Sequence, residues 1–162
     1  MISDEVSEIP AVAALIAKAP NAITGSAFRL NEVTLEIDPA QIVDVCRFLK
    51  NEQTYVRLSG VTAVDWYPVE PRFEVVYLLH SIERKHRLRL KCRLHGDSAE
   101  IESVCSVWKG ANWYERETFD LFGITFRNHP DLRRIMMPDD WEGYPLRKDF
   151  PVHGHRYSYT DE

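Results

Sequence analysis

The chain has 162 residues and a mass of 18.9 kDa, with 44% hydrophobic and 28% charged residues. This composition is typical of one soluble globular domain and argues against two independent ones. The 25 acidic and 20 basic side chains give a formal charge of -5, so no overall positive charge favours nucleic acid or an anionic membrane as a partner. No apolar run approaches the roughly 18 residues of a membrane-spanning helix.

The cysteines and the N-terminal residues indicate the compartment. Cys46, Cys92 and Cys105 are odd in number and form no CxxC pair, so we expect buried thiols in a reducing compartment rather than disulfides or a zinc site. The first residues read MISDEVSE, which is acidic where a signal peptide would be basic. We therefore expect the mature chain to begin in the cytoplasm.

The first elements in chain order are a short helix and a strand. Pro10 can begin an alanine-rich helix that Pro20 ends. Residues 28–38 then alternate, with Val33, Leu35 and Ile37 on one face, which predicts a half-buried strand.

A crossover helix and three more strands follow. Asp38 is a suitable N-cap and Pro39 a suitable first helical residue, which predicts a helix to about Lys50. Residues 55–66, 72–82 and 87–94 have the pattern of strands. The strand–helix–strand order can make the first two strands parallel. The predicted fold class is therefore α+β: a four-stranded mixed sheet with helices packed on it, followed by an extended irregular C-terminal segment.

The last predicted strand is strongly basic. From Arg84 to Arg93 there are six Lys or Arg and no acidic residue. From residue 87 onwards, basic residues at odd-numbered positions alternate with apolar residues at even-numbered positions. Three interpretations remain open: a solvated outer face, a docking face for an acidic partner, or a nucleic-acid surface. The last is least favoured because no aromatic residue interleaves the basic ones.

Two helices are predicted before Gly123. The apolar residues from Ile101 to Trp108 have helical spacing. A second helix is expected from Asn112, with Glu115 at the reciprocal capping position and Gly123 as its C-terminal stop. Within that helix Glu117 and Asp120 can form a carboxylate pair, and Arg116 is spaced to neutralise Asp120. We favour an ion network here over general acid-base catalysis.

From residue 124 the hydrophobic periodicity disappears, while prolines and aromatic residues become frequent. We predict a sheet domain over residues 1–123 and an extended C-terminal strap over residues 124–162 that packs on partner subunits. The alternative is a segment that wraps its own sheet. His153 and His155 are a weak metal signal without a third ligand nearby.

Three blocks carry a resemblance to a known family: ERETFDLFG over residues 115–123, HPDLRRI over residues 129–135 and PDDWEGYPLRKD over residues 138–149. In their order and spacing they resemble the signature of the thirty-kilodalton subunit family of respiratory complex I (NADH-quinone oxidoreductase), whose bacterial members are its C subunits. The match covers residues 112–151. Met136, Met137 and Tyr144 depart from the residues common in that family.

The resemblance implies a non-catalytic structural subunit in the peripheral arm of a proton-translocating NADH:quinone oxidoreductase. It implies no cofactor in this chain, with FMN, iron-sulfur clusters and quinone in other subunits. The implied partners are the D-type subunit at the quinone site and the cluster-bearing B-type and I-type subunits. The implied location is peripheral, on the cytoplasmic side of the bacterial inner membrane, with membrane contact only through the complex.

We expect the three motif blocks to supply subunit contacts, and we predict no catalytic, cofactor-binding or metal residue. The predicted interface residues are Glu115, Arg116, Glu117, Asp120, His129, Arg133, Arg134, Trp141, Arg147, Lys148 and Asp149. Two alternatives stay open: the equivalent subunit of a related membrane-bound hydrogenase or of a complex with another electron donor, and a direct proton-path role for the helix with Glu117 and Asp120.

Overall fold

In the computed structural model the described residues are Ile2 and residues 4–151. The predicted histidine pair at 153 and 155 lies outside them. The helices are α1 (Asp4–Ser7), α2 (Pro10–Lys18), α3 (Ile42–Glu52) and α4 (Ala111–Phe122). The strands are β1 (Ile23–Arg29), β2 (Glu32–Ile37), β3 (Arg57–Asp65), β4 (Phe73–Ser81), β5 (His86–Leu94), β6 (Glu100–Glu102) and β7 (Thr125–Arg127).

The main sheet has five strands in the order β1-β2-β5-β4-β3, and β2 and β5 form its parallel pair. Because β4 runs antiparallel to both β3 and β5, β2 and β3 point the same way although two strands lie between them. The crossover through α3 and the mixed α+β class are thus confirmed. Asp38 caps the start of this crossover by accepting the Ala40 N–H at 3.0 Å.

The strand count differs from the prediction because residues 28–38 are a hairpin rather than one strand. Leu30 and Asn31 have φ values of 52° and 61°, which turn the chain so that Phe28 lies opposite Val33. A two-residue turn with both φ values positive suits the twist of antiparallel strands. Alternation does not reveal such a turn when apolar residues flank it on both sides.

The two faces of the sheet differ. Leu88, Leu90, Cys92 and Leu94 of β5 are buried in one core with the apolar residues of α2, α3 and α4. The intervening basic residues occupy the opposite, open face. There Arg89 pairs with Glu32, while Lys91 and Arg93 lie 2.8 and 3.4 Å from the Glu74 carboxylate.

The predicted helix over residues 101–108 is wrong. Glu100–Glu102 is strand β6, paired in parallel with β7, and a turn follows it. Ile101 lies opposite Phe126 and both are buried. A short strand followed by a turn therefore buries the same residues as a helix would, and the spacing alone does not separate the two.

Across the part of the chain that the structure describes, no helix combines the length and hydrophobicity needed to cross a bilayer.

Candidate functional site

The three motif blocks converge on α4 and on residues 128–151, which we call the covering segment. This segment contacts its own chain along its length. Arg116 of α4 donates to the carbonyls of Arg133 and Arg134 at 3.1 Å each. Further along, the Leu146 N–H donates to the Leu121 carbonyl at 3.0 Å. The covering segment therefore lies across α4 as part of the same fold.

Helix α4 ends as predicted but begins differently. Gly123 has φ 72° and its N–H donates to the Phe119 carbonyl at 2.8 Å, which confirms the predicted C-terminal stop. At the other end the N-cap is Gly110, without a side-chain cap bond, so the capping role predicted for Asn112 and Glu115 is wrong. Glu115 turns inward instead.

Asp120 organises the middle of the covering segment. Its Oδ2 accepts three consecutive backbone N–H groups, from Ile135, Met136 and Met137, at 2.9, 2.7 and 2.8 Å. Its Oδ1 accepts Arg134 Nη1 at 2.6 Å. Burial raises the pKa of Asp120, but these donors outweigh burial and the pKa is lowered overall. The carboxylate is thus ionised and fully engaged within the chain.

The expected ion network on α4 has different members from those predicted. Asp120 is neutralised by Arg134 rather than by Arg116, whose guanidinium lies over the Trp113 ring at 5.4 Å. Glu117 is exposed, and within the described residues its side chain has no hydrogen bond or ion pair. Glu117 and Asp120 point into different environments and do not form a carboxylate pair.

Arg147 binds the C-terminal end of α4. Its Nε donates to the Phe122 carbonyl at 2.6 Å, and its guanidinium lies 4.5 Å from the Tyr144 ring and 5.1 Å from the Phe73 ring. Helix C-terminal carbonyls are otherwise unsatisfied and carry partial negative charge, so a cation is favourable there. Arg147 thereby joins α4, the covering segment and the sheet.

Two residues that the sequence did not single out fix the end of the covering segment. Arg72 binds Asp65 through Nε and Nη2 at 2.9 and 2.8 Å, and it binds the carboxylate of Asp149 at 2.9 and 2.6 Å. Asp65 also accepts the Lys148 N–H at 2.9 Å. Burial raises the pKa of Asp65, but these bonds lower it to about 2. Asp65 lies 83 positions before Lys148, and Arg72 lies 77 positions before Asp149. No local sequence pattern indicates these long-range contacts.

Glu115 lies in a second buried polar cluster. It accepts Ser103 Oγ at 2.5 Å, the Val104 N–H at 2.7 Å and the Cys105 thiol at 3.4 Å. Burial raises its pKa, and these hydrogen bonds only partly offset that effect. His129 Nε2 lies 3.9 Å from the same carboxylate. The cluster ties the start of the covering segment to the loop after β6.

Cys105, Glu115 and His129 have ligand atoms within 4.8 Å of one another, which is close enough to consider a metal ion. The hydrogen bonds oppose one. Nδ1 of His129 accepts the Asp131 N–H at 3.0 Å, so the ring proton lies on Nε2, which faces the Asn112 carbonyl at 3.2 Å. A metal needs the Nε2 lone pair that this tautomer lacks.

The remaining predicted residues lie nearer the surface. Trp141 stacks on Phe150 at 6.4 Å between ring centroids. Arg133 bonds through its side chain only to Asp131 among the described residues, and the side chain of Lys148 is exposed. Helix α4 and the covering segment also carry three exposed apolar side chains: Trp113 and Met136, each 62% exposed, and Leu146, 50% exposed.

The family profile described as "Respiratory-chain NADH dehydrogenase, 30 Kd subunit" matches residues 35–156. The C subunit of the NADH-quinone oxidoreductase of Geotalea uraniireducens is 54% identical over 76% of this chain and 75% of its own length. The same-named protein of Roseiflexus castenholzii is 44% identical over 92% of this chain and 87% of its own.

Two solved structures are also similar. The "trypsin-resistant fragment (1-134)" of Nqo5 is 26% identical with a TM-score of 0.60, covering 65% of this chain and 86% of that one. A chain of the membrane-bound sulfane sulfur reductase, an archaeal respiratory membrane complex, is 31% identical with a TM-score of 0.74, covering 87% of this chain and 84% of that one. The chain thus belongs to the 30 Kd subunit family of respiratory-chain NADH dehydrogenases.

Proposed function

We propose that this chain is a non-catalytic structural subunit in the peripheral arm of a proton-translocating NADH:quinone oxidoreductase. In this proposal α4 and the covering segment form the contact with the D-type subunit at the quinone site and with the cluster-bearing B-type and I-type subunits. The chain itself binds no cofactor, and FMN, iron-sulfur clusters and quinone belong to the other subunits. It reaches the cytoplasmic side of the bacterial inner membrane only through the complex.

The observation that carries the proposal is the engagement of the ionised groups around α4. Asp120 accepts three backbone N–H groups and Arg134, and Arg147 donates to the carbonyl that ends the helix. A group that transfers protons needs an approach for its substrate and a pKa near the working pH. Asp120 has a lowered pKa and internal donors, so its geometry supports a structural role.

The inward-facing polar groups leave a different set of side chains for a partner. Trp113 and Met136 are exposed apolar residues of α4 and the covering segment, and Glu117, Arg133 and Lys148 are exposed polar residues of the same two elements. Tryptophan, methionine and arginine are enriched at protein interfaces. We therefore assign direct partner contacts to these outer residues, while the buried ion pairs support the surface from below.

The test compares the isolated chain with the assembled complex. Trp113→Ala combined with Met136→Ala removes exposed apolar groups, so the free energy of unfolding of the isolated chain should change by less than about 1 kcal/mol. Loss of interface hot spots of about 2 kcal/mol each would lower recovery of the chain in the complex by more than about tenfold. Val56→Ala, at a 54% exposed residue outside this surface, is the matched control. Unchanged recovery of the double variant would contradict the proposal.

A proton-path role for α4 is the competing hypothesis within the same complex. In the predicted pair of Glu117 and Asp120, only the Glu117 carboxylate is exposed. Glu117→Gln removes its charge without changing the shape of the side chain. Under the structural proposal, the assembled complex with this variant should reduce quinone at nearly the normal rate. A large loss of turnover with normal subunit composition would favour the proton path.

A second candidate function is the equivalent subunit of a respiratory membrane complex with another electron donor, such as a membrane-bound hydrogenase. The similarity to the chain of the archaeal sulfane sulfur reductase complex favours it, because that match is 31% identical and covers 87% of this chain. Purification of the native complex distinguishes the two. Copurification of an FMN-containing, NADH-oxidising subunit supports the first function, and its absence from a complete complex supports the second.

A further inference from the structure

A row of three basic side chains crosses the open face of the sheet. Arg57 of β3 lies opposite His80 of β4, and His80 lies opposite Arg87 of β5. Within the described residues, neither Arg57 nor Arg87 has a hydrogen bond or an ion pair from its side chain. The fold thus places two uncompensated guanidinium groups on either side of a histidine.

The other Lys and Arg side chains of β5, in contrast, form ion pairs within the chain. Lys91 and Arg93 share the buried carboxylate of Glu74, and Arg89 pairs with Glu32. Three of the Lys and Arg side chains of β5 therefore have acidic partners within the chain. Arg87, in contrast, has no acidic partner among the described residues, although the chain as a whole carries a net charge of -5.

The same row lines a groove. A depression of about 400 Å³ is bordered by Arg57, Leu78, His80 and Arg87, and by Glu32, whose charge Arg89 compensates. A second depression of about 640 Å³ shares Glu32, His80 and Arg87 with the first, and we call the two together the groove. The second depression is lined by Leu30 and Ile82, which are 88% and 62% exposed. The groove thus combines a cationic row with apolar side chains that water covers in the isolated chain.

We propose that this groove binds an acidic protein segment with apolar side chains, contributed by another subunit. Carboxylates of that segment would accept charge-assisted hydrogen bonds from Arg57 and Arg87. Its apolar residues would cover Leu30, Leu78 and Ile82. A free phosphate satisfies the cations but leaves this apolar surface exposed, whereas a polypeptide segment with carboxylates and apolar side chains covers both. The inference rests on the proposed function in that it requires an assembly, and it concerns a surface separate from α4.

Site-specific photo-crosslinking in the purified complex identifies the occupant. The chain carries benzoylphenylalanine in place of Leu30, which tolerates the change because it is almost fully exposed. We expect a covalent adduct with one polypeptide segment in which Asp and Glu outnumber Lys and Arg. A lipid adduct, an adduct with a neutral or basic segment, or no adduct in a complex that contains the chain would overturn the proposal. Absence of the chain from the complex would count against the proposed function instead.

Charge reversal tests the basic row directly. Arg57→Glu combined with Arg87→Glu should lower recovery of the chain in the complex at least tenfold. The melting temperature of the isolated variant should not fall, because within the described residues neither guanidinium has a hydrogen bond or an ion pair to lose. The control is Lys18→Glu combined with Arg47→Glu, an equal charge change at exposed residues of α2 and α3. Equal losses of recovery for both pairs would overturn the proposal. Arg57→Gln combined with Arg87→Gln gives the same comparison without added acids.

Discussion

Arg134 and Asp120 form an ion pair in which Nη1 lies 2.6 Å from Oδ1 and the carboxylate is fully buried. The two residues are 14 positions apart, and the pair closes the covering segment over α4. The same guanidinium donates to the Gly143 carbonyl at 3.1 Å. The Arg134 side chain therefore holds two parts of the covering segment together at α4: the residues around Arg134 itself and those around Gly143.

Asp120→Asn should destabilise the chain strongly. The substitution leaves Arg134 without its counterion and places an amide N–H₂ against backbone donors. Breaking a buried pair on one side costs about 3 to 5 kcal/mol. Urea unfolding measures the effect. Glu117→Gln on the exposed side of the same helix is the control and should change the free energy of unfolding by less than about 0.5 kcal/mol. Similar losses for the two variants would contradict a structural role for Asp120.

Gly123→Ala should loosen the end of α4. Gly123 has φ 72°, and an added Cβ would lie 2.5 Å from Tyr144 Cε2 and 2.6 Å from Arg147 Nη2. Backbone strain and the displaced Arg147 together should lower the free energy of unfolding by about 1 to 3 kcal/mol. Gly110 has φ -67°, which alanine adopts without strain, and a Cβ there meets nothing within 4 Å. Gly110→Ala is therefore the matched control and should lower the free energy of unfolding by less than Gly123→Ala does. Equal effects at both glycines would show that the close contacts do not matter.

Acid should release the end of the covering segment at Asp65. Burial raises the pKa of Asp65, yet the bonds from Arg72, Tyr67 and Lys148 lower it from 3.8 to about 2. Because the unfolded chain binds this proton first, the contribution to stability is fully present above about pH 4 and is lost as pH falls towards 2. It amounts to about 2 kcal/mol.

Unfolding at several pH values measures this contribution. Between pH 4 and 2, the free energy of unfolding of Asp65→Asn should fall by about 2 kcal/mol less than that of the unsubstituted chain. The two slopes are compared because other carboxylates, including Asp120 and Asp149, also have lowered pKa values. Identical slopes would mean that Asp65 does not have a lowered pKa in the folded chain.

Limited proteolysis should detect the contact between Arg72 and Asp149. In the isolated chain, trypsin should cleave slowly after Arg147, whose guanidinium is bound to the end of α4. Asp149→Asn weakens the contact with Arg72 and should speed that cleavage several-fold, since proteolysis follows the population of the open form. Cleavage after exposed Lys109 serves as the internal control. An equal increase at both positions would indicate global unfolding instead.

The sequence predicted the elements whose signals are local. Gly123 ends α4 because a residue tolerant of positive φ suits that position, and Asp38 with Pro39 begins the crossover because capping depends on neighbouring residues. The alternation in β5 correctly separated the core face from the basic face. The motif blocks over residues 115–149 were sufficient to indicate the family, since short ordered motifs do not depend on knowing their contacts.

Tertiary structure decided what depends on distant partners. Ile101 lies in a strand because β7 offers a parallel partner, and Glu115 turns away from its predicted cap because Ser103 and Val104 supply donors to it. Arg72 and Asp149 meet across 77 positions. Ion pairing and strand pairing require spatial approach, which residue spacing along the chain does not encode. Residue patterns along the chain are therefore sufficient for the local elements and the family, whereas the approach of distant residues in the fold selects which charged residues are bound internally and which face outwards.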